Sequence, residues 1–240
     1  GQSISRTGQI AILFFAFVGW AFAGVHMSIT SIVMRVALTD LLPAETPEGD
    51  IGQWFGWMVC AFLLGAATGG YLFGIIGDQF GRAKAMAGSI LCYSVFSGAT
   101  YFTSSAEMLL VLRFLTCMGV GGMWPNGIAL LSEAWSNVGR PILAGVMGTA
   151  ANVGILFFAI ATTYRFVTAE DWRWTMVVGA SPIILAILSF LTVPESPRWL
   201  AIRAGVAEEE AGKVGVAEIF KPPIHKLTII GILLGTIPLF

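Results

Sequence analysis

The ionisable residues of this chain are few, and they fall into two kinds of place. One group interrupts long apolar runs: Asp78, Arg82 and Lys84 within Gly-Ile-Ile-Gly-Asp-Gln-Phe-Gly-Arg-Ala-Lys at 74–84, Glu133 and Arg140 seven positions apart, and Glu195 and Arg198 within Val-Pro-Glu-Ser-Pro-Arg-Trp-Leu at 193–200. Acids and bases at neighbouring helix ends can pair and separate, which makes a two-state latch. Asp78 can also cap an adjacent helix N-terminus. The other group, His26 and Arg113, lies inside the apolar runs, where the uncharged polar residues Asn126 and Asn152 and the aromatic Trp124 also stand. Ionisable groups at membrane depth are expensive and point to a path for ions or substrates. His26 can carry a proton near neutrality, and the planar fork of Arg113 suits a carboxylate. Both stand at similar depth, about 22 Å from the inner surface, and can face one cavity. Trp124-Pro125-Asn126 combines an aromatic wall, a break in backbone hydrogen bonding and an amide, which suits a binding pocket. Asn152 follows Gly148 by one helical turn, with Thr149 nearby. Each has a plainer alternative: His26 as a neutral packing residue, Arg113 as a structural residue, the two Asn as interhelical links worth about 0.6 to 2 kcal/mol each, and the charges as static surface anchors.

Elements that hold such residues must span a bilayer. Of 240 residues, 56% are hydrophobic and 11% charged, whereas soluble domains carry about 25% charged residues. An integral membrane protein follows, with lipid as its surroundings. A net charge of -1 without a basic patch excludes a nucleic-acid binder. Cys60, Cys92 and Cys117 all lie in apolar blocks and suggest neither a disulfide framework nor a metal site. No nucleophile with its base, phosphate loop or metal-ligand spacing is present, so neither an enzyme nor a cofactor is expected. Runs of roughly 20 apolar residues are needed per crossing. They place spans at 9–37, 52–77, 83–103, 107–134, 139–166 and 173–193, with a seventh beginning near 226. The fold expected is all-α. Residues 1–197 form a six-helix unit, 198–225 a polar connector, and 226–240 the start of the seventh helix. The chain opens on Gly1, and its last apolar run stops at Phe240, so a continuation is expected.

Gly77 and Gly81 permit a tight reversal between the second and third spans, and its charges put that turn at a membrane surface. An N-terminus on the cytoplasmic side places Arg6, Arg82, Lys84, Arg140, Arg198, Arg203, Lys213, Lys221 and Lys226 inside. Only Arg165 and Arg173, with Arg35 near a helix end, then fall outside, as the positive-inside rule favours. The loop Thr39–Ile51 holds four acids and two prolines and is expected to be a solvated connector. Glycines 65, 69, 70, 145 and 148 are expected at close helix contacts.

The pattern Gly-x-x-x-Asp-x-x-Gly-Arg-x-Lys at 74–84 resembles the loop between helices 2 and 3 of the major facilitator superfamily, secondary transporters of two six-helix halves. Gln79 departs from the Arg or Lys usual there. Glu133 with Arg140, Pro-Glu-Ser-Pro-Arg at 194–198, Asp-Trp-Arg-Trp at 171–174 and Arg113-Phe-Leu before Gly119, Gly121 and Gly122 resemble its sugar-porter and metabolite-symporter branches. The resemblance implies an N-terminal half in a cell membrane, alternating access, and a missing C-terminal half as partner. It further implies an inner gating network of Gly74, Asp78, Gly81, Arg82, Lys84, Glu133, Arg140, Glu195 and Arg198. Gly148 stands where sugar porters place glutamine, and Gly154-Ile-Leu-Phe-Phe lacks the proline of drug antiporters. Ala23-Gly24-Val25-His26 replaces the Asp-Gly-x-Asp of acid-proton symporters, which moves any proton coupling to His26. The leading expectation is therefore a transporter of a small metabolite, an organic anion, with protons as candidate co-substrate. The alternatives are a membrane sensor that binds without flux and a sugar uniporter or symporter.

Overall fold

The computed structural model describes residues 4–205 and, beyond them, only 222, 226, 227, 229 and 230. Two compact units divide the chain, Gly1–Leu200 and Ala201–Phe240. In the second, few residues are described, among them Gly205 at a left-handed φ of 68°. Most of the expected connector and seventh span lies outside the described residues.

The first unit is a bundle of antiparallel helices, and no strand occurs among the described residues. Helix α1 (Arg6–Ser28) starts where the Ser5 hydroxyl accepts the Gly8 N–H at 3.1 Å. It runs through a π turn (Ile29–Val33) into α2 (Met34–Leu41), giving one 36-residue rod. Helix α3 (Glu48–Phe80) begins after Pro47, with Glu48 and Asp50 in its first turn, where acids complement the helix dipole. The acidic loop expected over 39–51 thus shrinks to Leu42–Pro47, because its prolines stand just outside helix ends and three of its four acids, Asp40, Glu48 and Asp50, lie inside them. Gly81 alone links α3 to α4 (Arg82–Thr100), and its φ of 113° makes the reversal. Gly77, expected to share that role, is buried in α3 against Asn126.

Helices α5 (Ala106–Ala134) and α6 (Arg140–Tyr164) follow. The sixth expected span is broken into α7 (Trp174–Ala180) and α8 (Ile183–Thr192), since Pro182 has no N–H to continue the ladder. The short helix α9 (Pro197–Arg203) comes last.

Among the described residues, five helices are long and apolar enough to cross a membrane: Arg6–Leu41, Glu48–Phe80, Ala106–Ala134, Arg140–Tyr164 and Trp174–Thr192. The third expected span, α4, is not among them, because it carries Arg82, Lys84 and several hydroxyls. It is nonetheless well enclosed, packing mainly on α5 and α8. Among its buried hydroxyls, Ser97 donates to the Met176 carbonyl of the sixth expected span at 3.2 Å, whereas Ser89 and Ser94 donate to the preceding turn, to Ala85 O at 2.9 Å and Ile90 O at 2.7 Å. No partner beyond the helix is then needed for these two.

Backbone contact, more than side-chain interdigitation, joins the principal helix pairs. A Cβ on Gly69 would collide with the Met118 carbonyl, and one on Gly121 with the Ala66 carbonyl, so α3 lies directly on α5. In the same way Gly24 faces the Ala151 carbonyl and Gly154 the Ala21 carbonyl, which seats α6 on α1. Small residues allow such approaches and are the usual glue where lipid removes the hydrophobic drive. Gly145 and Gly148, expected in this role, face open space instead.

Two apolar clusters fill the bundle. Ile12, Phe15, Met86, Ile90, Met123 and Leu131 occupy the end near Gly81, while Val33, Leu38, Met58, Leu109 and Trp172 occupy the other. Arg113 lies at the level where one gives way to the other. From this packing, Gly69→Val in the full-length protein is expected to cost about 1–3 kcal/mol or more, read as a fall in thermal unfolding temperature in detergent. Gly56→Ala, on the same helix with nothing within 4 Å of its Cβ position, is the control and should shift it little. Equal losses from both would contradict the close α3–α5 contact.

Candidate functional site

Three polar centres occupy the first unit, one at each end and one between them. At the Gly81 end, Arg82 Nη2 donates to Asp78 Oδ1 at 2.9 Å, one turn back. Arg82 Nε lies 3.5 Å from Glu133 Oε1 at the end of α5. Glu133 also accepts from the Ser196 hydroxyl. Glu195 Oε1 accepts from the backbone N–H groups of Ala83 and Ser196, each at 2.9 Å. Glu195 therefore caps α4, the task assigned above to Asp78, because the segment after α8 folds back across the α4 N-terminus. A Cβ on Gly81 would strike that carboxylate, so Gly81 is fixed by its neighbour as well as its φ. Trp199 Nε1 donates to the Asp78 carbonyl at 2.9 Å, and Gln9 Nε2 to the Ala134 carbonyl at 2.8 Å. These bonds bring α1, α3, α4, α5 and the start of α9 to one end.

Arg140 does not join: it is exposed and outside the ion pairs found among the described residues. The expected pairing of Glu133 with Arg140 is replaced by Glu133 with Arg82, since Trp135 to Gly139 turn the chain away before α6 starts. Arg198 is exposed in the first turn of α9, Lys84 is exposed on α4, and Gly74 is half-buried with open space where a Cβ would stand.

The middle centre holds His26 and Arg113. Arg113, 2% exposed, donates through Nη2 to the His26 carbonyl and to the Thr30 hydroxyl, which in turn donates to the same carbonyl at 3.0 Å. All of this sits on the approach to the π turn. The His26 ring is enclosed, 5.0 Å centroid to centroid from the Tyr93 ring and against Gly179. The two residues do meet, but in packed protein and not across an open cavity. No carboxylate pairs with Arg113 among the described residues.

Along α5, Trp124 is 11 positions from Arg113, on the same face and about 16 Å away. It is half-buried, with its ring 5.0 Å from that of Trp20. Trp20 was missed above, although its aromatic type inside an apolar run marked it. Asn126 points elsewhere: it is fully buried and donates to the Phe73 carbonyl at 2.9 Å and the Gly122 carbonyl at 3.0 Å. It links α5 to α3. Asn152 is exposed on α6 and donates to the Gly148 carbonyl at 3.2 Å, with exposed Thr149 on the same side.

At the far end, Asp40 Oδ2 accepts from Trp172 Nε1 at 2.9 Å and Arg173 Nη1 at 2.8 Å, while Arg173 Nη2 donates to the Thr103 carbonyl at 3.0 Å. Arg165 and Asp171 form a two-pronged pair at 2.8 to 3.0 Å, and Arg35 pairs with Glu48. The stretch holding Asp40, expected to be a connector only, thus carries a bridge between distant helices. Nothing local to Asp40 announces it, because its partners lie more than 130 positions away.

Comparison with known proteins bears on this arrangement. Residues 27–218 match the family model described as sugar (and other) transporter. The inner membrane metabolite transport protein YgcS of Escherichia coli is 35% identical over 181 residues, which is 75% of this chain and 40% of that protein. The 4-hydroxybenzoate transporter PcaK of Pseudomonas putida is 31% identical over 169 residues, 70% of this chain and 38% of PcaK. Among solved structures, the partially occluded inward-open xylose transporter XylE of Escherichia coli aligns with a TM-score of 0.68 at 21% identity, over 84% of this chain and 52% of XylE. The last is a likeness of fold. The chain spans about half the length of the proteins it matches, or less. Its membrane-length helices and these relatives make the protein a multi-pass membrane protein, and the relatives are named as transporters. The chain belongs to the sugar (and other) transporter family of the major facilitator superfamily and has the fold of an N-terminal half of such a transporter.

Proposed function

We propose that the chain forms half of a secondary transporter that carries a small organic anion across a cell membrane by alternating access, its N-terminus cytoplasmic and a C-terminal half completing the path. One observation carries the choice of anion: Arg113 is buried at mid-bundle, and no carboxylate pairs with it among the described residues. Its partners, a carbonyl and a hydroxyl, are dipoles that leave the net charge in place. An anionic substrate supplies the missing charge, and a guanidinium binds a carboxylate in two-pronged fashion. PcaK, named for 4-hydroxybenzoate, gives a relative whose substrate is an aromatic carboxylate.

His26 is the proton carrier in this reading. A proton there, beside a guanidinium bonded to the same residue, would put two positive charges together at low dielectric. A carboxylate on Arg113 removes that conflict, so anion and proton enter together. Trp20 and Trp124 form a second stage of the path, about 16 Å along α5 from Arg113.

The charge cluster around Gly81 acts as the inner latch. Its exposed pairs are individually worth about 1 kcal/mol or less, so several can break together at a cost that substrate binding can meet. The competing sugar reading draws on the family description and the XylE likeness. A ligand without charge leaves Arg113 unneutralised, which favours the anion. A sensor that binds without flux would show saturable binding but no uptake.

Two outcomes are expected in proteoliposomes holding the full-length protein. Arg113→Gln should lower 4-hydroxybenzoate uptake at least tenfold, and Arg113→Lys should restore it only in part, since an ammonium lacks the fork. In His26→Ala, uptake should lose its response to a proton gradient across about pH 5 to 8; an unaltered response removes the proton-carrier assignment. For the latch, Glu133→Gln should increase the labelling rate of a cysteine placed at Trp124 by a membrane-impermeant thiol reagent from the Gly81 side. An unchanged rate would make the cluster a static anchor.

A further inference from the structure

A groove of about 340 Å³ runs between α4 and α8, lined among others by Lys84, Gly88 and Leu91 on one wall and Ile187, Phe190 and Leu191 on the other. Its walls are apolar and open outward, with Phe190 60% and Leu191 72% exposed. A single cation, Lys84, stands at the end near Gly81, on the third residue of α4. That end lies at the membrane surface, as its exposed charges require. From Lys84 to Leu91 the groove follows α4 for seven residues, about 10 Å. Open to the surroundings and apolar along this length, it offers a bed for an extended hydrocarbon chain.

The charge at its mouth is uncommitted. Asp78 and Glu133 are engaged by Arg82, Glu133 also by the Ser196 hydroxyl, and Glu195 by two backbone N–H groups. Lys84 takes part in no ion pair among the described residues. An apolar channel ending in a free cation at the membrane surface has the complementary shape of a phosphodiester bearing a fatty chain. We propose that this groove binds an anionic phospholipid, with an acyl chain against Leu91, Ile187 and Phe190 and the phosphate on Lys84. An acyl chain here would wedge between α4 and the second half of the broken helix, beside Glu195 and the cap it makes on α4. The site differs from the anion site at Arg113 and does not depend on it.

The test is native mass spectrometry of the full-length protein with phosphatidylglycerol or phosphatidylcholine added to the detergent. The wild type should retain one phosphatidylglycerol in preference to phosphatidylcholine. Lys84→Gln should reduce that preference about fivefold, the equivalent of about 1 kcal/mol for one basic residue at an anionic surface, and Lys84→Arg should keep it. Ile187→Trp, on an exposed position that needs no repacking of the core, should fill the groove and reduce retention of both lipids. Absence of retained lipid in the wild type would mean that another part of the polypeptide covers the groove, and it would overturn the proposal. So would an unchanged preference in Lys84→Gln or unchanged retention in Ile187→Trp. Transport plays no part in these readings, so a failure of the anion proposal leaves them interpretable.

Discussion

A guanidinium inside a membrane must be given hydrogen-bond acceptors by the protein around it, and the way Arg113 obtains them governs the centre of this bundle. Its acceptors come from α1, at the turn where the α-helical ladder widens into a π turn and Met34 N–H bonds back to Ile29 O. Such turns are rare and recur at functional sites. For Arg113 to reach, α1 must approach α5 closely, and α1 is in turn seated on α6 by Gly24 and Gly154. Tyr93 adds a further tie from α4, its hydroxyl donating to the Gly19 carbonyl at 3.0 Å. The apolar clusters on either side exclude water. The arrangement satisfies the hydrogen bonds of Arg113 but not its charge, and this difference is the reason for assigning a ligand to it.

The ends of the bundle obey different rules. Charges there lie partly open to water, Arg82, Glu133 and Arg173 half-buried and Asp40 and Asp78 exposed, and ion pairs open to water are weak one by one. At the Gly81 end the strongest features are charge-assisted bonds to backbone N–H groups, those of Glu195, and not ion pairs alone. They depend on a chain that returns to the α4 N-terminus after α8, which the break at Pro182 and the turn at Val193–Ser196 permit. At the far end Asp40, Trp172 and Arg173 join the outer end of α2 to the start of α7. Both ends are thus closed by bonds that a modest free energy can open. The middle is held by backbone contact and is rigid.

Five of the spans were legible because each of those runs is long and apolar, and the Gly81 turn because its φ favours glycine. Less was legible where partners are distant. Glu195 and Asp78 are both acids near a helix start, and only the return of the chain decides which one caps α4. Arg140 was assigned to Glu133 on spacing, whereas Arg82 from another turn reached it first. The π turn has no signature in Ile-Thr-Ser-Ile-Val, and the break at Ser181-Pro182 had one that was passed over. Asn126 was separable on angular grounds alone: two positions from Trp124, it stands about 200° around the helix and so faces α3, not α1. Gly145 and Gly148 share their type with Gly65 and Gly69, but composition does not say which face of a helix meets a neighbour.

The central claim is that the charge of Arg113 is neutralised by the substrate. It is tested most directly by the binding of 4-hydroxybenzoate and of its uncharged amide, 4-hydroxybenzamide, to the purified full-length protein under the same conditions. The two share ring, hydroxyl and shape and differ in charge. The account predicts saturable binding of the carboxylate and at least tenfold weaker binding of the amide, with the difference lost in Arg113→Gln. Equal affinities, or a difference that survives in Arg113→Gln, would contradict it and leave Arg113 as a clamp on the π turn of the first helix.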